Sequence, residues 1–259
     1  MSKIEWTEKT WNPITGCTKV SPGCAHCYAE NVANRFWGDR KFGDVQFHED
    51  RLRQPLRRKK PTMYFVNSMS DLFHESVTDE QLDRIFAVMA LTPQHTYQVL
   101  TKRPKRMLEY CNTIKLPLPN LWLGVSVETQ RTADERIPLL LQTPAAVRFL
   151  SCEPLLGKVH LNCLHWQDMT NIDCLAGKHG IYFGGDCNRV DWVIVGGESG
   201  SKARPCDVDW IRSIIEQCRV ANVPCFVKQL GSHSSKGKGN NIDKFPKDLR
   251  VRKYPEIKE

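Results

Sequence analysis

No stretch of this chain approaches the ~18–20 consecutive apolar residues that a membrane-spanning helix needs. The first residues, Met1 to Trp6, contain no apolar core of the kind an export signal requires. These two absences set the expectation of a soluble, cytoplasmic protein with no membrane partner. There is no repeat of fixed period and no long low-complexity tract. With 41% hydrophobic and 25% charged residues, the composition excludes a disordered chain, a collagen and a coiled coil. What the chain has in plenty is cysteine. There are eleven in 259 residues, an odd number without an export signal, which argues against a disulfide scaffold and for metal or redox chemistry. A net charge of +8 favours polyanionic partners.

Short apolar runs that end in polar residues alternate with helical patterns. Thr62 to Asn67 is the first clear strand, ending in Ser68-Met69-Ser70-Asp71. A helix is predicted over 79–91, with capping-box spacing between Thr78 and Gln81 and an apolar stripe of Leu82, Ile85, Phe86 and Met89. Further strands are predicted at 97–100, 121–127, 147–150, 192–195 and 224–227, with an additional strand or loop near Trp11. The helix through Ala133, Ile137 and Leu140 contains Pro138, a residue that can break it. Near-continuous apolar strands alternating with helices imply a parallel sheet. Polar residues gather at the strand C-terminal ends, where (β/α) barrels place their sites; an open doubly wound sheet has the same pattern. The expected organisation is one domain over 1–231, with an insertion at about 158–190, and a basic extension over 232–259. That extension carries Lys236, Lys238, Lys244, Lys247, Arg250, Arg252 and Lys253.

The sharpest local signal runs from Thr10 to Glu30. Its cysteines, Cys17, Cys24 and Cys27, read C-x6-C-x2-C among Gly and Pro residues. Three thiolates suit a [4Fe–4S] cluster with one open iron that can take a small molecule. Zinc with His26 as fourth ligand and unrelated buried cysteines are the rival readings. The remaining cysteines give no comparable spacing. Cys218 and Cys225 fall on core patterns, while Cys163, Cys174 and Cys187, with His165 and His179, leave a second metal site conceivable.

An aromatic directly after the third cysteine, here Tyr28, resembles the radical S-adenosylmethionine superfamily, whose commonest pattern, C-x3-C-x2-C, has a shorter first gap. The segments 11–30, 66–75, 100–104, 150–157 and 195–205 together resemble a phage-associated family of radical-SAM-like, three-cysteine-motif proteins. That resemblance implies a partial (β/α)6 barrel and S-adenosyl-L-methionine chelated at the open iron and cleaved by one electron. It implies that Ser70 and Asp71 face the methionyl ammonium, Lys102 or Arg103 its carboxylate, and Glu128 the ribose. Against these stand a helix cap, a solvated basic turn and a structural ion pair, respectively. Glu198, in Gly196-Gly197-Glu198, is expected to face substrate. Cys152, at a strand end, is a candidate hydrogen donor. Glu153, Lys228 and Gln229 are further rim candidates.

A second feature is the run Arg51, Arg53, Arg57, Arg58, Lys59 and Lys60. With the basic extension it can form a phosphate-binding rim, with Phe36, Trp37 and Phe47 nearby for stacking; a solvated linker is the rival. The sequence therefore leads to a radical S-adenosylmethionine enzyme that modifies or repairs a DNA or RNA base or a nucleotide, in the manner of photoproduct lyases. A flavodoxin or ferredoxin would be its electron donor. The alternatives are a zinc- or iron–sulfur-containing nucleic-acid-binding protein and a redox sensor, both without catalysis.

Overall fold

The computed structural model describes residues 4–114, 117–166, 170–180, 184–233 and 239–256. The chain divides into two compact units, Met1–Gly124 with Thr143–Ala146, and Val125–Gln142 with Val147–Glu259.

The first unit holds β1 (Lys9–Trp11), β2 (Ile14–Thr15), α1 (Tyr28–Phe36), β3 (Gln46–Phe47), α2 (Glu49–Leu52) and β4 (Met63–Val66). It continues with α3 (Asp79–Ala90), β5 (Thr96–Thr101), α4 (Pro104–Cys111) and the first part of β6 (Leu121–Ser126). The α3 start follows the predicted capping box. Thr78 Oγ1 accepts from Gln81 N–H (3.3 Å), and Gln81 Oε1 accepts from Thr78 N–H (3.2 Å). Its stripe Leu82, Ile85, Phe86 and Met89 is buried, and burial of such a stripe is the main source of helix stability.

The second unit holds α5 (Gln130–Gln142), β7 (Val147–Cys152), four short strands β8 (Leu164–Trp166), β9 (Thr170–Asp173), β10 (Lys178–His179) and β11 (Gly185–Asp186), then β12 (Trp192–Gly196), α6 (Val208–Val220) and β13 (Cys225–Gln229). Pro138 does not break the helix. Pro138 is buried with Ile137, Leu140 and Leu141, and α5 runs through it. Packing of the apolar stripe outweighs the lost backbone donor. The insertion folds as its own antiparallel sheet, in the order β11-β10-β9-β8.

The main sheet has the order β1-β4-β5-β6-β7-β12-β13. Pairings β1/β4, β4/β5, β7/β12 and β12/β13 are parallel. This is an α/β fold with a mostly parallel seven-stranded sheet, consistent in general terms with a partial (β/α) barrel.

The end of the second unit is a strap on β13. Val227 N–H donates to Val251 O (2.8 Å) and Lys253 N–H to Cys225 O (2.9 Å), an antiparallel pairing. Tyr254 stacks on Trp192 at 5.4 Å between ring centroids. Arg252 donates to the carbonyls of Val227, Lys228 and Asn240. Arg250 donates to those of Phe245 and Asp243. The arginines expected to make this extension a phosphate rim are thus engaged with backbone. Lys236 and Lys238 lie outside the described residues. Among the described residues no helix is long and apolar enough to cross a membrane.

Candidate functional site

In the first unit the loops after β4 and β5 bring four of the predicted residues together. Asp71, 6% exposed, is an acceptor hub. Its Oδ1 accepts from Thr101 Oγ1 (2.6 Å) and Phe73 N–H (3.0 Å), and its Oδ2 from Lys102 N–H (2.9 Å) and Arg103 Nη1 (3.3 Å). Arg103, 7% exposed, also donates from Nε to Glu75 Oε1 (2.8 Å) and from Nη2 to Thr18 Oγ1 (2.9 Å) and Thr18 O (3.3 Å). Ser70 Oγ donates to Gly16 O (2.6 Å) and so ties the cysteine loop to the end of β4. Ser70, Asp71 and Arg103 therefore form a closed network in which each side chain already has protein partners. Lys102 contributes its backbone N–H.

Two further members of this network escaped the sequence reading. His74 Nε2 is 2.9 Å from Thr18 Oγ1, and His74 Nδ1 accepts from Ser76 N–H (3.1 Å). Burial and the neighbouring Arg103 lower the His74 pKa, against the opposing pull of Glu75 and Asp71. Glu75 pairs with Arg103 from the solvent side. No local motif marks either residue. Their roles arise because neighbouring parallel strands place consecutive loops side by side.

The cysteine loop departs from the expected cluster. Cys17 Sγ donates to Thr18 O (3.4 Å) and accepts from Arg103 Nη1 (3.6 Å). Its pKa is pushed up to about 11, by burial first and then by Asp71, with Arg103 opposing. Cys27 sits at the N-cap of α1, where burial raises its pKa while the backbone N–H groups of Glu30 and Ala29 pull it back. Cys24 Sγ is 3.9 Å from Ser21 Oγ. Among the described residues, no group of three or more Cys, His, Asp or Glu side chains is disposed to hold a metal ion. This corrects the sequence reading on several points. The [4Fe–4S] cluster at Cys17, Cys24 and Cys27 does not fit the side chains present, and neither does zinc there. A second metal at Cys163, Cys174 and Cys187 fails on the same finding. S-adenosyl-L-methionine bound at an open iron, the radical mechanism and the resemblance to radical-SAM-like proteins fall with the cluster.

In the second unit the other predicted residues are placed as follows. Glu128 is fully buried and pairs with Arg136 Nη1 (3.1 Å), which also donates to Ser126 O (2.8 Å). Glu198 is chelated by Arg204, whose Nε and backbone N–H reach Oε2 (2.9 Å each) and whose Nη2 reaches Oε1 (2.6 Å). Glu153 pairs with Lys228 at 3.2 Å. Cys152 is fully buried, and desolvation raises its pKa far above that of a free thiol. Each of these strand ends, like that of β4, carries a carboxylate matched to one cation. Missing from the sequence reading were the cations Arg136 and Arg204, which lie eight and six residues beyond their carboxylates.

The feature with uncommitted charge lies elsewhere in the first unit. A groove of about 530 Å³ is lined by Lys9, Thr10, Gln54, Arg57, Arg58, Lys59, Lys60 and Tyr64. Lys9 opens β1 and pairs in register with Tyr64 on β4, and the run 57–60 leads into β4. The groove therefore lies at the N-terminal ends of these strands, opposite the Asp71–Arg103 network. Among the described residues no ion pair engages Lys9, Arg57, Arg58, Lys59 or Lys60. The nearby Glu8 carboxylate accepts from Met63 N–H (3.0 Å). Of the aromatics considered for stacking, Phe36 is 70% exposed on α1, Trp37 packs on Phe42, and Phe47 lies under Arg84.

Fold and site together define an α/β protein with a mostly parallel sheet, ion-paired strand ends and a cationic groove. Residues 1–256 match the model of a family described as "Protein of unknown function (DUF5131)", and the chain belongs to that family. No curated protein and no solved structure matches it.

Proposed function

We propose that this protein binds nucleic acid by holding the phosphate backbone in the groove formed by Lys9, Arg57, Arg58, Lys59 and Lys60. The observation that carries the reading is the gathering of these five cations, none ion-paired among the described residues, around one concavity of about 530 Å³. Thr10 and Gln54 add the neutral hydrogen-bonding groups that commonly accompany such cations at phosphates. The groove offers no ring face for a base. Tyr64 is 4% exposed, and its ring is stacked on Tyr97 with planes 12° apart. Contacts to phosphate alone position a strand without reading its sequence, so binding is sequence-independent.

Fluorescence anisotropy with labelled single- and double-stranded oligonucleotides over a range of salt tests this. If all five lining cations meet phosphates, the log–log salt slope reaches about −4.5 for duplex and about −3.5 for single strands. Neutralising Arg57, Arg58 and Lys60 together reduces the duplex slope by about 2.7. Absence of measurable binding at low salt to either form rejects the reading.

A further inference from the structure

The cations of the groove are not equivalent. Arg57, Lys59 and Lys60 are exposed, and among the described residues their side chains make no hydrogen bond. Arg58 is half-buried and held. Its Nε donates to Thr62 Oγ1 at 2.5 Å. Thr62 is 4% exposed and its own hydroxyl donates to Lys60 O (2.9 Å), which fixes the direction of the oxygen that receives Arg58. The backbone is held as well. Arg58 N–H donates to Pro55 O (3.0 Å), Gln94 Nε2 donates to Arg58 O (3.4 Å), and Thr62 O accepts from Thr96 N–H (3.0 Å) at the start of β5. With Nε spent on Thr62, the two Nη groups are what the guanidinium has left to offer, and Arg58 lines the groove.

From this geometry we infer that Arg58 is the anchor of the groove: its Nη1/Nη2 fork grips a single phosphate group bidentately, and Thr62 is the residue that positions it. The inference rests on the phosphate-binding reading above and assigns its parts. Lys9, Arg57, Lys59 and Lys60 supply attraction at a distance. A planar guanidinium matches two phosphate oxygens at once, whereas an ammonium acts as a point charge. A fork whose rotamers are already restricted loses less entropy on binding than a free one. The phosphate is either a backbone diester or a terminal monoester; both present the paired oxygens that the fork needs.

The test uses charge-conserving substitutions in the full chain. Arg58→Lys should weaken oligonucleotide binding about tenfold at unchanged net charge, whereas Arg57→Lys should stay within about twofold, since only a gripped guanidinium is sensitive to the exchange. Thr62→Val removes the acceptor and keeps every charge. It should weaken binding about fivefold and leave the salt slope unchanged, as loss of positioning rather than of charge predicts. Thermal melting confirms that all three variants fold. Comparing 5′-phosphorylated with 5′-hydroxyl oligonucleotides separates the sources: equal affinity assigns the grip to the diester backbone, tighter binding of the former to a terminal monoester. Affinity of Arg58→Lys within twofold of the parent overturns the anchor while leaving nucleic-acid binding in place. If no oligonucleotide binds, titration with inorganic phosphate decides the anchor separately. A saturating shift of the Arg58 Nε–Hε resonance keeps it as a small-phosphate site, and no shift overturns it.

Discussion

Replacing Asp71 by alanine removes more from this protein than its single charge suggests. The carboxylate accepts four hydrogen bonds, from Thr101, Phe73 N–H, Lys102 N–H and Arg103. It is the buried partner of Arg103, with side-chain exposures of 8% and 6%. Breaking a buried pair from one side typically costs ~3–5 kcal/mol, because the remaining charge stays desolvated. Here Arg103 keeps Glu75 and Thr18, so Asp71→Ala should fall near the lower end, about 3 kcal/mol. Glu75 is the control. It binds the same guanidinium, but its side chain is 67% exposed, so Glu75→Ala should cost no more than about 1 kcal/mol. Urea denaturation of the parent, both single variants, Arg103→Ala and the double variant Asp71→Ala/Arg103→Ala measures these values. The double variant should lose less than the sum of its parents, since removing both partners leaves no orphaned charge. A cost for Asp71→Ala below about 1 kcal/mol, or strict additivity, would refute the view that burial rather than contact number sets the energy.

Two other expectations follow from the same side chains. The folded-state pKa of His74 is depressed below its ordinary value of 6.5 by burial and by Arg103. The neutral ring is therefore favoured by folding. Its stabilisation is present above about pH 6.5 and is lost as pH falls through the folded pKa. His74→Gln should flatten the acid limb of a stability–pH curve, and an unchanged limb would contradict the assignment. Among the eleven free thiols, Cys111, Cys152, Cys174, Cys206, Cys218 and Cys225 are buried. No more than five should react rapidly with an aromatic disulfide reagent in the native protein, and all eleven after denaturation. Fast reaction of a sixth would show that one of the two units opens readily.

Much of the fold was readable because it depends on local pattern. The stripe on α3 and the Thr78–Gln81 box lie within one element, and the apolar runs of β4 to β7, β12 and β13 are continuous. Asp71 was readable as a polar residue at a strand end. Its bond to Arg103, 32 residues away, was not, since it exists only where parallel strands set two loops together. The cysteine spacing was equally plain, but spacing does not fix where thiols point. Gly16, at φ +96°, turns the chain where a Cβ would meet Asp44 O at 2.4 Å, and the direction Cys17 takes from there is a property of that turn. The basic run was visible as charge. Its place at the N-terminal end of β4 was implicit in chain order.

The strap over β13 bears on how this protein behaves at high concentration. A parallel sheet that stops at an outer strand leaves a row of backbone donors and acceptors that another chain can extend, and such edges seed aggregation. Here Val251 and Lys253 already occupy those groups on β13, and Tyr254 closes over Trp192 and Phe226. Residues 251–254 therefore act as a built-in blocking peptide. A variant that loses the grip of this segment, for instance through Tyr254→Ala, would reveal itself through light scattering at concentrations where the parent stays dispersed, before any loss of secondary structure.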